Sequence, residues 1–323
     1  MASDSDDRSS VALSPQERRW LERVRAAGSL SQLREITGTD TDHDAYIEAK
    51  PTWERLRGRE LGEPTPSEGL PGDRVVVDSQ PFHVHGVTHA DAEPEREFLR
   101  THVSQFLDGN AEVHCEQGIR PMYFEDFDGV SEADDYRWAM HHCRRLDISS
   151  HIDGLIEETF DEESHSVTGN IRWAASQFRE VAYSLIESGA DVYGKTFAAA
   201  LGDTASTFLM DHEHLATGED FTSHELSKAA AEDPSKLPAL QQYYKRAFLP
   251  QPLEREWLRR HDHELELFTH ARNERIAAWA LYHADGSRPV HLIVGAAHQP
   301  GVVYYLEAYR ENRWDYGEFE FVP

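Results

Sequence analysis

The sequence predicts an α/β fold: a central β-sheet covered by many helices and preceded by a helical extension. Three observations predict it. Short apolar runs with strand character stand at residues 74–78, 82–86, 111–116 and 290–294, each bounded by turn residues. Stretches of helical period separate them, which is the alternation expected of strands buried between helices. Finally, 323 residues with 39% hydrophobic and 28% charged side chains suffice for one large domain, or one domain with an appendage.

In chain order, residues 1–14 are rich in Ser and Asp and read as a disordered acidic tail. Ser14 followed by Pro15 opens a helix to residue 27, because a Ser N-cap and a Pro in the first turn both suit the unpaired N–H groups there. Two more helical pieces precede Gly58, so residues 15–61 form a helical N-terminal extension. The run GEPTPSEGLPG at 62–72 breaks every regular pattern and is a linker. Residues 73–323 then form the core, with strands at 74–78 and 82–86, a helix at 94–107 and a strand at 111–116. A helical insertion occupies about 125–250, with acidic loops at 126–135 and 160–164. Its clearest helix places Ile171, Ala175, Phe178, Ala182 and Ile186 on one stripe. A long helix covers 253–282, Asp285-Gly286 marks a turn, 290–294 is a buried strand, and Pro300-Gly301 opens a last helix. The aromatic end, with Trp314, Tyr316, Phe319 and Phe321, suits an edge strand or a contact surface.

Composition narrows function. With 59 Asp and Glu against 32 Lys and Arg, the net charge is −27, the balance of a chain suited to concentrated salt, where screening relieves self-repulsion. No basic face is available for phosphates, so nucleic acid is not an expected partner. Two cysteines, Cys115 and Cys143, form neither a disulfide framework nor a thiolate zinc knuckle. No apolar run approaches the roughly 18 residues of a membrane span, and the N-terminus carries no apolar leader, so the expected location is cytoplasmic. Oligomeric state is not legible. There is no Gly-x-Ser-x-Gly elbow, no phosphate-binding Lys loop and no dinucleotide fingerprint. His212-Glu-His214 and His261-Asp-His263 lack zincin spacing, and His141, His142 and Cys143 point apart on a helix.

Two of the strand-like runs end alike: PFHVH in Gly86-Val-Thr-His89, and VHLIV in Gly295-Ala-Ala-His298. With 20 Gly and 19 His in the chain, about one Gly-x-x-His arises by chance, so position rather than spacing carries the signal. Between them stand Glu116 at a strand end, Arg120 four residues on, and the helical run Arg272-Asn-Glu-Arg275. The order HVHGVTHAD (83–91), VHCEQGIR (113–120), ARNERIAAWAL (271–281) and LIVGAAHQPGVVYYL (292–306) resembles the TraB/PrgY/Tiki family, grouped with erythromycin esterase-like and ChaN-like proteins. The resemblance anchors the two ends of the region from about 73 onward; the middle and the first 70 residues match nothing in it. It implies a site made of His89, His298, Glu116 and Arg120, with Gly86 and Gly295 as supports, and a peptidase-like activity.

The chemistry is consistent with that implication. Two neutral imidazoles and a carboxylate are a ligand set for zinc, manganese or cobalt with a place left for water, and Arg120 would stabilise an oxyanion. His83 and His85 share a strand face and either orient or join the ligands, or simply pack. Glu274 and Arg275 either orient a ligand histidine or form an ordinary intrahelical pair. The expected function is therefore a metal-dependent, peptidase-like hydrolase acting on a peptide or a small ester or amide. The alternatives are a metal-free hydrolase with a histidine base, as erythromycin esterase-like proteins suggest, and a non-catalytic peptide- or haem-sequestering protein.

Overall fold

Among the described residues the chain forms five strands, two of them joined by a tight turn. A computed structural model describes residues 12–146, 181–189, 192, 194–209 and 217–322. Strands β1 (Asp73–Val77), β2 (Gln80–Val87), β3 (Glu112–Cys115), β4 (Val130–Glu132) and β5 (Val290–Gly295) make one sheet in the order β1-β2-β5-β3-β4. The β1–β2 hairpin is antiparallel and every other pairing is parallel. The last strand thus inserts between β2 and β3, so the carboxyl ends of three strands from distant parts of the sequence share one rim, where open α/β sheets bind ligands.

Register decides what that rim carries. Gly86 pairs with Val294 and Val87 with Gly295, so both Gly-x-x-His segments leave the sheet at nearly the same level. Directly after β3, Glu116 N donates to Ile293 O at 2.9 Å, which brings its side chain beside them.

Helices cover both faces. On one, Ile276, Ala277 and Ala280 of the helix Arg272–His283 and Val302, Tyr305 and Leu306 of the helix Gln299–Arg310 pack against Val75, Phe82, Val84 and Leu292. On the other, α4 (Glu93–Asp108) and α5 (Ile119–Tyr123) bury Leu99, Val103, Ile119 and Tyr123 against Val113, Cys115, Val130 and Ile293. Burying a side chain of this size is worth about 1.5–3 kcal/mol, so the two layers hold the sheet firmly.

The N-terminal helices are α1 (Pro15–Ala26), α2 (Leu30–Thr37) and α3 (Asp42–Leu61). Ser14 caps α1 in a reciprocal box with Glu17, and Ser29 and Thr41 cap the other two. These helices share an apolar cluster with the core: Leu33, Tyr46, Trp53 and Leu56 pack with Leu249, Leu253, Trp257 and Leu258.

Several expectations change. The helix expected at 253–282 is broken: Gln251–His261 ends at extended Asp262, whose carboxylate accepts from Leu265 N at 2.9 Å and starts a new turn, and Leu267–Ala271 is a π-turn. An Asp at such a break caps the helix that follows. The acidic segment 126–135 holds the short strand β4, and its Asp134 and Asp135 are buried against arginines at the start of α6 (Asp135–Arg145). The aromatic end forms no strand among the described residues; Phe319 stacks on Tyr282, and Trp314 donates to Glu274 Oε1 at 2.9 Å. The predicted stripe at 170–186 lies mostly outside the described residues, as do the loop at 160–164 and His212 and His214; residues 181–188 are helical, with Ala182 and Ile186 respectively half-buried.

Candidate functional site

Glu116 is the hub of the rim. Its side chain is 4% exposed. Oε1 accepts from Arg272 Nη2 at 2.6 Å, and Oε2 accepts from the backbone N–H of Gly295 at 2.7 Å. His298 Nε2 lies 3.5 Å from Oε1, and His89 Nε2 lies 3.6 Å from Oε2. Three of the four residues expected together therefore meet, with the two imidazoles at opposite oxygens of one carboxylate.

Each is held from behind. His298 Nδ1 shares a 2.7 Å hydrogen bond with Asn273 Oδ1, which fixes the proton on Nδ1 and leaves the Nε2 lone pair free toward Glu116. Asn273 Nδ2 donates to Gln251 Oε1 at 3.0 Å, and Gln251 Nε2 lies 3.2 Å from His270 Nδ1, so the support is a buried relay. His89 sits in the left-handed backbone region with φ 64°, where non-glycine residues are uncommon. Buried Glu95 holds that loop: its carboxylate accepts from Thr88 N at 2.8 Å, from Ala90 N at 3.3 Å and from the Tyr123 hydroxyl.

Space is short at both glycines, and prohibitive at Gly86. A Cβ on Gly86 would come 2.7 Å from Gln299 Oε1 and 2.9 Å from Ala296 Cα. A Cβ on Gly295 would stand 3.2 Å from His89 Nε2, 3.4 Å from Glu116 Oε2 and 3.5 Å from His298 Cδ2. The point above Gly295 is thus where all three side chains converge, and hydrogen alone keeps it open.

Electrostatics separates the two imidazoles. Burial pushes His298 down to about 4, so it is neutral at pH 7. Burial also opposes charge on His89, but the adjacent Glu116 carboxylate outweighs it and raises His89 above its ordinary value. Burial would raise Glu116 too, yet the charges around it, Arg272 foremost among the permanent ones, hold it well below the usual carboxylate range. Arg272 is also bound by Asp135 Oδ2 at 2.6 Å. Two carboxylates compete for that one guanidinium, and Asp135, fully buried, is the one pushed up.

The arginine assignment differs from expectation. Among the described residues no hydrogen bond or ion pair joins Arg120 to Glu116, His89 or His298; it is half-buried, and its Nε is buried without a partner. Arg272, 156 residues from Glu116 in the sequence, takes the carboxylate instead. Within Arg272-Asn-Glu-Arg275 it is the first two residues that reach the site. Glu274 pairs with Arg255 and Trp314, and Arg275 forms a bidentate pair with Asp134 at 2.7 and 2.6 Å and lies 3.9 Å from the Phe319 ring. A helix turns about 100° per residue, so neighbours in one motif face different layers. Arg272, Asn273, Asp135, Gln251 and Glu95 were missed by sequence reasoning; the Arg-Asn-Glu-Arg run was the available signal for the first two.

His83 and His85 do not join the centre. His85 Nε2 lies 2.9 Å from His291 Nδ1 and His85 Nδ1 lies 3.0 Å from Pro71 O, while His83 and Phe106 stack on His291. They form a packed aromatic group further back along β2 and β5, the bland alternative for such a pair.

The donor set fits a divalent ion in kind: two imidazoles with unshared Nε2 atoms, one of them the buried and unpartnered Nε2 of His89, and a carboxylate. Its arrangement is less suited. Both Glu116 oxygens already accept a hydrogen bond, a guanidinium lies against one of them, and among the described residues no three His, Cys, Asp or Glu side chains are grouped to hold an ion. No helix among the described residues is long and apolar enough to cross a membrane. No family model matches the chain, and a search of curated proteins finds no match.

Proposed function

We propose that the chain is a hydrolase of peptide, ester or amide bonds that activates water above Gly295, between His89 and Glu116. The observation that carries this reading is the convergence there of His89 Nε2 and Glu116 Oε2, 3.6 Å apart, over a residue without a side chain. A water in that space meets a base raised above its ordinary value beside an ionised carboxylate, so His89 takes a proton near neutral pH while Glu116 stabilises the imidazolium that results. His298, kept neutral and oriented by Asn273, fills the other side of the carboxylate. Arg120, half-buried on α5 just beyond Glu116, is the donor proposed for the developing oxyanion.

The hydrogen bonds already on Glu116 favour the metal-free form of this reaction. The unpartnered Nε2 of His89 supports a second form, in which zinc, manganese or cobalt is held by His89, His298 and Glu116. Such an ion, when bound, would lower the pKa of its water and polarise the substrate carbonyl.

The test is hydrolysis of a p-nitrophenyl ester and a fluorogenic peptide by protein purified without chelator, before and after dialysis against EDTA, with elemental analysis alongside. Turnover that survives EDTA and falls at least about 100-fold in His89→Ala supports the general-base form. Turnover lost with EDTA, with near-stoichiometric metal that is absent from His89→Ala, selects the metal form. Absence of turnover on both substrates, metal present or not, refutes the hydrolase.

A further inference from the structure

A cavity of about 1000 Å³ lies between α1, α3, the segment 248–252 and the helix Gln299–Arg310. That is the upper end of the range for small-molecule sites. His89, Glu116 and His298 do not line it, although Gln251, which supports Asn273 behind His298, does. Trp53, Phe248, Pro250, Val303 and Tyr304 give it apolar and aromatic walls.

Its lining carries as many carboxylates as cations, Glu22, Asp73, Glu307 and Glu311 against Arg25, Arg57, Lys245 and Arg313, but two of the cations are crowded together at one end. The guanidinium carbons of Arg25 and Arg57 lie 5.9 and 5.6 Å from the Trp53 ring centroid, so two cations share one indole. Both also pair with a single carboxylate, Glu60, which does not itself line the cavity. Arg57 is 18% exposed, and its Nε is buried with no hydrogen-bond partner. Burial pushes the Arg57 guanidinium below its ordinary value, and the neighbouring charge of Arg25 adds to this against the pull of Glu60. Elsewhere on the wall, Lys245 is matched by Asp73 at 2.7 Å and Arg313 by Glu311 at 2.7 Å. Glu22 and Glu307 also line the cavity, and Glu307 lies 3.9 Å from Arg310. Two cations on one carboxylate, with a donor left over beside an aromatic wall, match a ligand that has an oxyanion at one end and an apolar body.

We propose that this cavity binds a small organic anion, its carboxylate or phosphate held by Arg25 and Arg57 and its apolar body packed on Trp53, Phe248 and Tyr304. In a chain of net charge −27 an anion gains nothing from long-range attraction, so affinity has to come from these local contacts and falls with their removal.

The site is tested by isothermal titration of the full chain with benzoate and with phenyl phosphate, and with benzyl alcohol as the uncharged analogue. Ligands of this size are expected to bind with millimolar affinity or better. The expected result is binding of at least one anion, with the preferred probe identifying carboxylate or phosphate, and at least tenfold weaker binding of benzyl alcohol. Arg57→Gln weakens the anion at least tenfold, while Arg55→Gln, an exposed neighbour on α3, leaves it unchanged. If circular dichroism finds Arg57→Gln unfolded, Arg25→Gln replaces it. Failure of both anions to bind, or binding indifferent to the arginine substitution, overturns the proposal. The readout needs no turnover, so it is independent of the hydrolase reading.

Discussion

Lys50→Ala tests how the N-terminal helices are joined to the sheet-bearing part of the chain. Lys50, on α3, is 10% exposed at its side chain, and its Nζ lies 2.6 Å from Glu254 Oε1, whose side chain is 0% exposed. Tyr46 donates its hydroxyl to Glu254 Oε2 at 2.6 Å and accepts from Lys50 Nζ at 3.0 Å. Burial lowers the Lys50 pKa, so the ammonium is retained only because the carboxylate offsets its desolvation. Truncating Lys50 leaves Glu254 buried with Tyr46 and Leu249 N–H as donors but no cation. Breaking a buried pair in this way costs about 3–5 kcal/mol. For a chain of this size that corresponds to a Tm lower by about 4–7 °C. Calorimetry or thermal melting by circular dichroism measures it, and Lys50→Met with Glu254→Leu should recover most of the loss, because no buried charge then remains. A Tm within about 1 °C of wild type for Lys50→Ala would refute the reasoning, since it would mean that Glu254 is solvated or neutral without its partner.

Two further outcomes follow from the same geometry. Gly295→Ala should leave stability within about 1 kcal/mol, because its backbone is not left-handed and the nearest atoms are side-chain ends, yet lower turnover of the ester substrate about 100-fold by filling the space beside His89 Nε2; normal turnover in a folded variant would move the reaction elsewhere. The second concerns acid. Burial pushes His85 to about 4 and His291 to about 3, below the ordinary histidine value of about 6.5. The folded state therefore holds them neutral while the unfolded chain takes up protons, so their contribution is fully present above pH 6.5 and is lost as pH falls through the window down to about 4. For buried His85 alone the loss by the bottom of that window is about 3 kcal/mol. Urea denaturation at pH 7 and pH 5 reads it, and His291→Phe, which keeps the stack on Phe106 but leaves His85, should reduce the difference by about half; an unchanged difference would place the acid sensitivity in other groups.

The rim could be read in advance because the signals for it are local. Apolar runs bounded by turn residues marked β1, β2, β3 and β5, and the repeated Gly-x-x-His after two of them suggested that both histidines leave a sheet at one edge. Helix starts were equally legible where a cap is written in adjacent residues, as at Ser14-Pro15. What escaped was set by contacts between distant segments. Strand β4, three residues long, exists because Val130 and Glu132 pair with β3, and nothing in an acidic stretch announces it. The continuous helix expected at 253–282 failed because Asp262 prefers to cap a new turn, a choice that period alone does not record.

The sequence by itself determined most of the element types, the acidic balance and the candidates His89, His298 and Glu116, since each depends on composition or on residues near one another in the chain. Only the tertiary structure decided which guanidinium meets Glu116, which amide orients His298, and that His83 and His85 pack with His291 away from the rim. The physical reason is that a side chain's partner is fixed by register and helix phase across a packed interface. A shift of one residue in a helix turns a side chain about 100°, enough to exchange Arg272 for its neighbours.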